Sequence, residues 1–182
     1  MHDRSILITG CSSGIGRCAA LGLRDRGYRV FATARRHEDL QELEHEGLEA
    51  VHLHLDDPAS VAEAATKVLE ASGGHVYGLF NNGGYGQPGA VEDITWAVLE
   101  EQLRTNLLGW HELTRRLIPG MRARGEGRII QNSSVLGLVA MPYRGAYNCS
   151  KFALEGLSDT LRLELRGSGI WVSLIEPGPI SS

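Results

Sequence analysis

Six short apolar runs recur along the chain, with helix-period segments between them. The runs are Ile6-Leu7-Ile8, Arg29-Val30-Phe31-Ala32, Ala50-Val51-His52-Leu53, Val76-Tyr77-Gly78-Leu79-Phe80, Arg128-Ile129-Ile130-Gln131 and Ile170-Trp171-Val172-Ser173-Leu174-Ile175. Leu99, Leu103, Leu107, Trp110, Leu113 and Leu117 fall three or four residues apart, and Leu154, Leu157, Leu161 and Leu165 repeat that spacing, the signature of one helix face. Strand, helix, strand in regular alternation constrains the chain strongly, because parallel neighbours need crossover connections and the crossover helices cover the sheet. The expected class is α/β: a doubly wound parallel sheet with helices on both faces. At 182 residues, 42% of them hydrophobic, the chain suits a single domain spanning 1–182, with no internal repeat, linker or low-complexity tract.

Charge and cysteine content exclude several functions. A net charge of -4 argues against a dedicated nucleic-acid binder, which needs clustered Lys and Arg for phosphate contacts. No apolar run reaches membrane-spanning length, and the first residues enter a strand-like run without a leader pattern, so no membrane role and a cytoplasmic location are expected. Cys11, Cys18 and Cys149 are odd in number and lack C-x-x-C spacing, which indicates reduced thiols rather than disulfides or a zinc site. His52 and His54 alternate onto one strand face, but no third ligand stands at useful spacing, and no metal is expected.

The first run ends in a glycine-rich turn, Thr9-Gly10-Cys11-Ser12-Ser13-Gly14-Ile15-Gly16, that opens a helix. Glycine permits a sharp turn and close backbone approach, and a helix N-terminus offers free N–H groups and a favourable dipole to an anion. A nucleotide pyrophosphate suits this place, although a glycine turn with no ligand gives the same pattern in isolation. The spacing is G-x-x-x-G-x-G, and no Lys follows as an NTPase loop would require. After the second run stand Arg35 and Arg36. An acid near this position suits the 2′-hydroxyl of NAD(H), whereas arginine suits the 2′-phosphate of NADP(H), so the pair favours NADP(H) over NAD(H). Solvated arginines at a helix start remain the alternative, and Glu38 and Asp39 lie a few residues beyond the expected acidic position.

Tyr147 and Lys151 are four residues apart and share a face on a helix. A free tyrosine has a pKa of about 10, and a nearby cation favours phenolate, bringing the group towards acid–base work at neutral pH. Ser134, at the end of the run before them, can donate a hydrogen bond to a substrate oxygen. Alone, a Tyr-x-x-x-Lys pair most often faces solvent.

Taken with the glycine turn, Asn81-Asn82-Gly83-Gly84, Asn106, Ser133-Ser134 and Pro177-Gly178-Pro179, the set resembles the short-chain dehydrogenase/reductase family over essentially the whole chain. In Thr9-Gly10-Cys11-Ser12-Ser13-Gly14-Ile15-Gly16 and Leu174-Ile175-Glu176-Pro177-Gly178-Pro179-Ile180 it looks most like the NADP-dependent aldehyde reductases and the hydroxysteroid or retinol dehydrogenases. The resemblance implies a Rossmann-type fold and an oxidoreductase that moves a hydride between NADP(H) and an aldehyde, ketone or alcohol. It makes Tyr147 the acid/base, Lys151 its electrostatic partner and a ligand to the nicotinamide ribose, Ser134 the group that orients the substrate oxygen, and Asn106 the holder of a relay water. Around the cofactor it implies Gly10, Ser12, Ser13, Gly14, Ile15 and Gly16 at the phosphates, Arg35 and Arg36 at the 2′-phosphate, Asn82 near the adenosine ribose, and Pro177, Gly178 and Ile180 beside the carboxamide. Where the family usually sets an Asp against adenine this chain has His54, so the backbone of Leu55 is expected to carry that contact.

The family also implies a further strand and a helical lid after the Pro-Gly segment; this chain is expected to be C-terminally incomplete, with an exposed sheet edge. Symmetric pairing through the helices of Asn106 and Tyr147 implies a homodimer or homotetramer, with Trp110 and Phe152 as contacts. The apolar segment Val135-Leu136-Gly137-Leu138-Val139-Ala140-Met141-Pro142-Tyr143 between Ser134 and Tyr147 suggests an apolar carbonyl or alcohol substrate. Cys11 and Cys149 are the thiols whose modification would reach the site. A non-catalytic dinucleotide-binding or sensor module is the alternative, distinguished by having no chemical use for Asn106, Ser134, Tyr147 and Lys151 together.

Overall fold

The computed structural model describes residues 4–180. Strands β1 (Ser5–Ile8), β2 (Arg29–Ala34), β3 (Glu49–His52), β4 (Gly78–Asn81), β5 (Gly127–Asn132) and β6 (Ile170–Ile175) form one sheet in the order β3-β2-β1-β4-β5-β6. Every neighbouring pair is parallel, with Leu7 opposite both Phe31 and Leu79, and Ile129 opposite Leu79 and Val172. The order reverses between β1 and β4, and in such sheets the crevice beyond the strand C-termini at that point is the ligand site.

Successive residues of a strand point to opposite faces, which sorts the core into two layers. Leu7, Phe31, Leu79 and Ile129 face a layer with Val61, Trp110, Leu113, Leu117 and Leu154 from α3 (Pro58–Ala71), α5 (Gly109–Arg124) and α6 (Gly145–Glu164). Ile6, Ile8, Val30, Ala32 and Phe80 face α1 (Gly14–Asp25) and α2 (His37–His45), which supply Ala20 and Leu43. On that second face β6 leaves Trp171 and Ile175 exposed. β6 is also an edge strand, bonded only to β5 among the described residues.

The leucine stripe from 99 to 117 is not one regular helix. α4 (Trp96–Leu103) passes into a π-helical turn at Arg104–Leu108 before α5 begins, and Asn106 sits inside that turn. Such turns concentrate at functional sites. The alternation that would put His52 and His54 on one face stops at His52, where β3 ends; His54 instead pairs with Asp56. Among the described residues no helix is long and apolar enough to cross a membrane, and no group of three or more His, Cys, Asp or Glu side chains could hold a metal ion.

Candidate active site

Two clefts open along the C-terminal ends of the strands and meet at Asn82, Gly84 and Tyr85. The larger, about 670 Å³, is lined by Gly10, Ser12, Ser13, Gly14, Ile15, Arg35, Leu55, Asn82 and Ile180. Its floor is set by contact between β1 and β4. Gly10 adopts φ 70°, and a Cβ there would lie 2.4 Å from the Gly83 Cα; a Cβ on Gly16 would lie 2.2 Å from the Gly10 oxygen. Only glycine fits these two positions, one for conformation and both for space. Gly16 itself is buried beneath the cleft rather than lining it.

Side chains then lock the loop. Thr9 Oγ1 accepts from the N–H groups of Asn82 and Gly83 at 2.8 and 2.9 Å. Asn82 Nδ2 donates to the Thr9 and Gly10 oxygens, and Trp110 donates to the Gly83 oxygen at 2.8 Å. No side chain caps the first turn of α1, in contrast to α3, where the Asp57 carboxylate accepts from Ala59. The free N–H groups at the start of α1 therefore face the cleft as an anion seat. Of the two arginines after β2, Arg35 lines the cleft and has no hydrogen-bond or salt-bridge partner among the described residues. Arg36 turns into a bidentate pair with Asp39, at 2.9 and 2.6 Å, and does not line it. That pairing holds the Asp39 carboxyl below the usual carboxylate range, the hydrogen bond from Arg36 being the main cause.

The smaller cleft, about 510 Å³, is lined by Asn106, Ser134, Tyr147 and Lys151, together with Asn132, Val135, Leu136, Met141, Arg144, Pro177 and Gly178. Lys151 is 4% exposed. Its Nζ donates to the Asn132 backbone oxygen at 2.7 Å and lies 4.5 Å from the Trp110 ring centre and 5.5 Å from that of Tyr147. Burial pushes its pKa down to about 7, opposed by the nearby Glu155 carboxylate. Ser134 Oγ accepts from the Leu136 N–H at 3.1 Å, which leaves its own O–H free to donate. Its neighbour Ser133 is occupied by Glu155.

Asn106 is fully buried, and its side chain is spent within the protein: Nδ2 donates to the Tyr85 oxygen at 2.7 Å and to Ser150 Oγ at 3.4 Å, and Oδ1 accepts from the Tyr85 N–H at 3.2 Å. Gln102, which the sequence reading passes over, adds a second clamp, donating to the Tyr85 oxygen and accepting from the Gln87 N–H. Its signal is the spacing to Asn106, the same four residues that join Tyr147 to Lys151. Asp56, Glu101 and Tyr85 are also absent from that reading although they line the clefts, and Thr9, named there only as part of the turn motif, builds the loop through its hydroxyl.

Two expectations need correction. Trp110 is not a subunit contact: it is 0% exposed, with its indole between Gly83 and Lys151, whereas Phe152 is 47% exposed. Cys11 is sealed in the core, where burial pushes its thiol up to about 12, so it is inert at neutral pH; Cys149 is exposed.

Residues 4–182 match the family model described as short chain dehydrogenase. The chain belongs to this family. It is 50% identical over 178 residues to the uncharacterized oxidoreductase YbbO of Escherichia coli (strain K12), a match covering 98% of the chain and 66% of that protein. It is 36% identical over 183 residues to retinol dehydrogenase 8 of Homo sapiens, covering 97% of the chain and 59% of the relative. A crystal structure of a metagenomic short-chain oxidoreductase in complex with NADP superposes with a TM-score of 0.91 at 34% identity, over 99% of this chain and 84% of that one. The chain spans between 59% and 66% of the length of these curated relatives.

The residues present fit a dinucleotide on their own evidence: a glycine cradle that a single Cβ would fill, an uncapped helix start and an unpaired guanidinium at one end. At the other end Asn132 Oδ1 is buried without a partner beside Lys151, and such an orphan acceptor marks a place for a polar ligand group.

Proposed function

We propose that the chain is the nucleotide-binding and catalytic part of an NADP(H)-dependent oxidoreductase acting on an apolar aldehyde or ketone, or on the matching alcohol. The observation that carries this reading is the convergence of Asn106, Ser134, Tyr147 and Lys151 on one cleft that opens into the nucleotide cleft at Asn82, Gly84 and Tyr85. The resemblance to the aldehyde reductase and hydroxysteroid or retinol dehydrogenase subgroups belongs to this proposal, with retinol dehydrogenase 8 at lower identity than YbbO.

NADPH, when bound, supplies the hydride. Gly10, Ser12, Ser13, Gly14 and Ile15 hold its phosphates, and Arg35 meets the 2′-phosphate. The engagement of Arg36 with Asp39 supports the phosphorylated form, because it occupies an acid that follows β2 and could otherwise take a 2′-hydroxyl. Leu55 flanks the adenine side, and Pro177, Gly178 and Ile180 flank the nicotinamide side.

Tyr147 gives its phenolic proton to the carbonyl oxygen during reduction and takes it back from the alcohol in reverse. The Ser134 hydroxyl, with one lone pair used by Leu136, aims its hydrogen at the same oxygen. Lys151 places a cation beside the phenol ring, and its basicity near neutrality suits it to exchange protons with solvent through the cleft. Asn106 and Gln102 fix the loop through Tyr85 so that the two clefts stay in register. Val135, Leu136 and Met141 offer the apolar wall. A homodimer or homotetramer is part of the proposal, supported by exposed Leu108 and Phe152 on the helical side.

The test is NADPH and NADH oxidation with medium-chain aldehydes and ketones, comparing wild type with Tyr147→Phe. Tyr147-dependent NADPH consumption is the expected result. Dinucleotide binding without such turnover would favour the sensor module instead.

A further inference from the structure

The substrate cleft contains a charged group that the chemistry above does not use. Arg144 lies one turn before Tyr147, at the start of α6, and lines the same cleft. It is half-buried, and among the described residues its guanidinium has no hydrogen-bond or ion-pair partner. Other half-buried arginines are satisfied: Arg17, Arg24 and Arg116 each meet a carboxylate. Each cleft thus holds one unpaired arginine, Arg35 in the first and Arg144 in the second.

Arg144 is also firmly placed. Tyr143 before it adopts φ 61°, a left-handed conformation that a bulky residue avoids unless its surroundings impose it. The Tyr143 oxygen accepts from Gly89 at 3.0 Å, and Gly89 pairs with Arg144 in an isolated parallel bridge. With its amide oriented to satisfy both neighbours, Asn148 donates to the Arg144 oxygen and accepts from the Met141 N–H, each at 3.0 Å. Gly86 locates the far end of the side chain: a Cβ on that residue would stand 3.7 Å from Arg144 Nη1 and 3.4 Å from the Tyr147 ring. The guanidinium and the near edge of the Tyr147 ring therefore lie on either side of Gly86, in the same cleft. The residues lining the cleft include two cations, Arg144 and Lys151, and no carboxylate, and Lys151 is already engaged with Asn132.

We infer that Arg144 is a specificity-determining residue that binds the carboxylate of an oxo-acid substrate, a few bonds from the carbonyl that Tyr147 protonates. This rests on the reductase reading and narrows its substrate class. The planar guanidinium fork matches a carboxylate in two parallel hydrogen bonds, while the apolar part of the molecule lies along Val135, Leu136 and Met141. One hydride from the reduced dinucleotide reaches the carbonyl carbon and one proton from Tyr147 reaches its oxygen, so the product is the corresponding hydroxy acid.

The test uses 2-oxooctanoate and 4-oxononanoate, each beside its methyl ester, with NADPH and the wild type, Arg144→Gln and Arg144→Lys proteins. For at least one acid the wild type is expected to show kcat/KM roughly tenfold to a hundredfold above that for the ester, mostly through KM. Arg144→Gln collapses that ratio towards one and Arg144→Lys retains part of it. Esters used as well as acids by the wild type, or a ratio unmoved by Arg144→Gln, overturns the inference, and the wild-type ratio decides even if a variant fails to fold. A second arm needs no turnover: octanoate and octanamide are titrated calorimetrically into the protein with NADP+. Octanoate is expected to bind about tenfold more tightly than octanamide, with the preference lost in Arg144→Gln. Equal binding overturns the inference even where neutral aldehydes are reduced. Octanoate preference with no Tyr147-dependent turnover keeps the anion site and sinks the reductase reading.

Discussion

The two clefts are built by opposite means. The nucleotide cleft is made chiefly of backbone: a left-handed Gly10, a Gly16 with no room for a methyl group, and an uncapped helix start. The substrate cleft is made of side chains from four separate segments, with Ser134 after β5, Tyr147 and Lys151 on α6, Asn106 in the π turn and Pro177 after β6. A backbone cradle fails as a structure when a side chain enters it, whereas a side-chain constellation fails as chemistry when one group is removed. Damage to the first should therefore appear in folding and affinity, and damage to the second in rate.

The sharpest break is Tyr147→Phe, which leaves packing nearly intact and removes the acid. Its kcat is expected to fall by about a hundredfold to ten-thousandfold, with NADPH affinity and melting temperature little changed; a parallel fall in melting temperature would erase the contrast. Gly16→Ala should do the reverse. The added carbon has to displace the Gly10 oxygen at 2.2 Å and the Asn82 amide at 2.6 Å. A stability loss of about 1–3 kcal/mol and loss of dinucleotide binding are expected in denaturant melts and fluorescence titration. A smaller effect is assigned to Arg35→Gln, where NADPH affinity should drop roughly tenfold relative to NADH, the value of one charge-assisted contact. Equal losses for both dinucleotides would show that Arg35 does not read the 2′-phosphate.

The change that is smallest per step in condition is a pH dependence. Lys151 is pushed down to about 7 in the fold, while an unfolded lysine keeps its proton to about 10.4. Below pH 7 both states are charged and the cost of burying the ammonium is fully present. As pH rises from 7 towards 10 the unfolded chain holds the extra proton, so stability rises with pH, by at most about 1.4 kcal/mol per pH unit from this group. Melts of the free protein at pH 7, 8 and 9 beside Lys151→Met should show this slope in the wild type and lose it in the variant; identical slopes would place the lysine in a wetter site.

What could be read from the sequence is what depends on neighbours in the chain. Strand alternation, the glycine turn and the four-residue spacing of Tyr147 and Lys151 are local patterns, and local patterns survive without coordinates. The π turn is hidden because the leucines on either side of Asn106 continue in phase through it. Trp110 looks like an interface residue because its partners, Gly83 and Lys151, are far away in the chain. Arg35 and Arg36 are indistinguishable until Asp39 is seen to claim the second. Arg144 is unremarkable as a letter, and its meaning lies in the partner that it lacks.

Three hydrogen bonds run head to tail beneath both clefts. Lys151 donates to the backbone oxygen of Asn132, whose side-chain amide donates to Asn82 Oδ1, and Asn82 Nδ2 donates in turn to the Gly10 oxygen. Asn82 lines both clefts, and Asn132 lines the substrate cleft. Asn132 and Asn82 therefore stand between the reaction centre and the phosphate turn, and a side chain that displaced either would disturb both compartments at once.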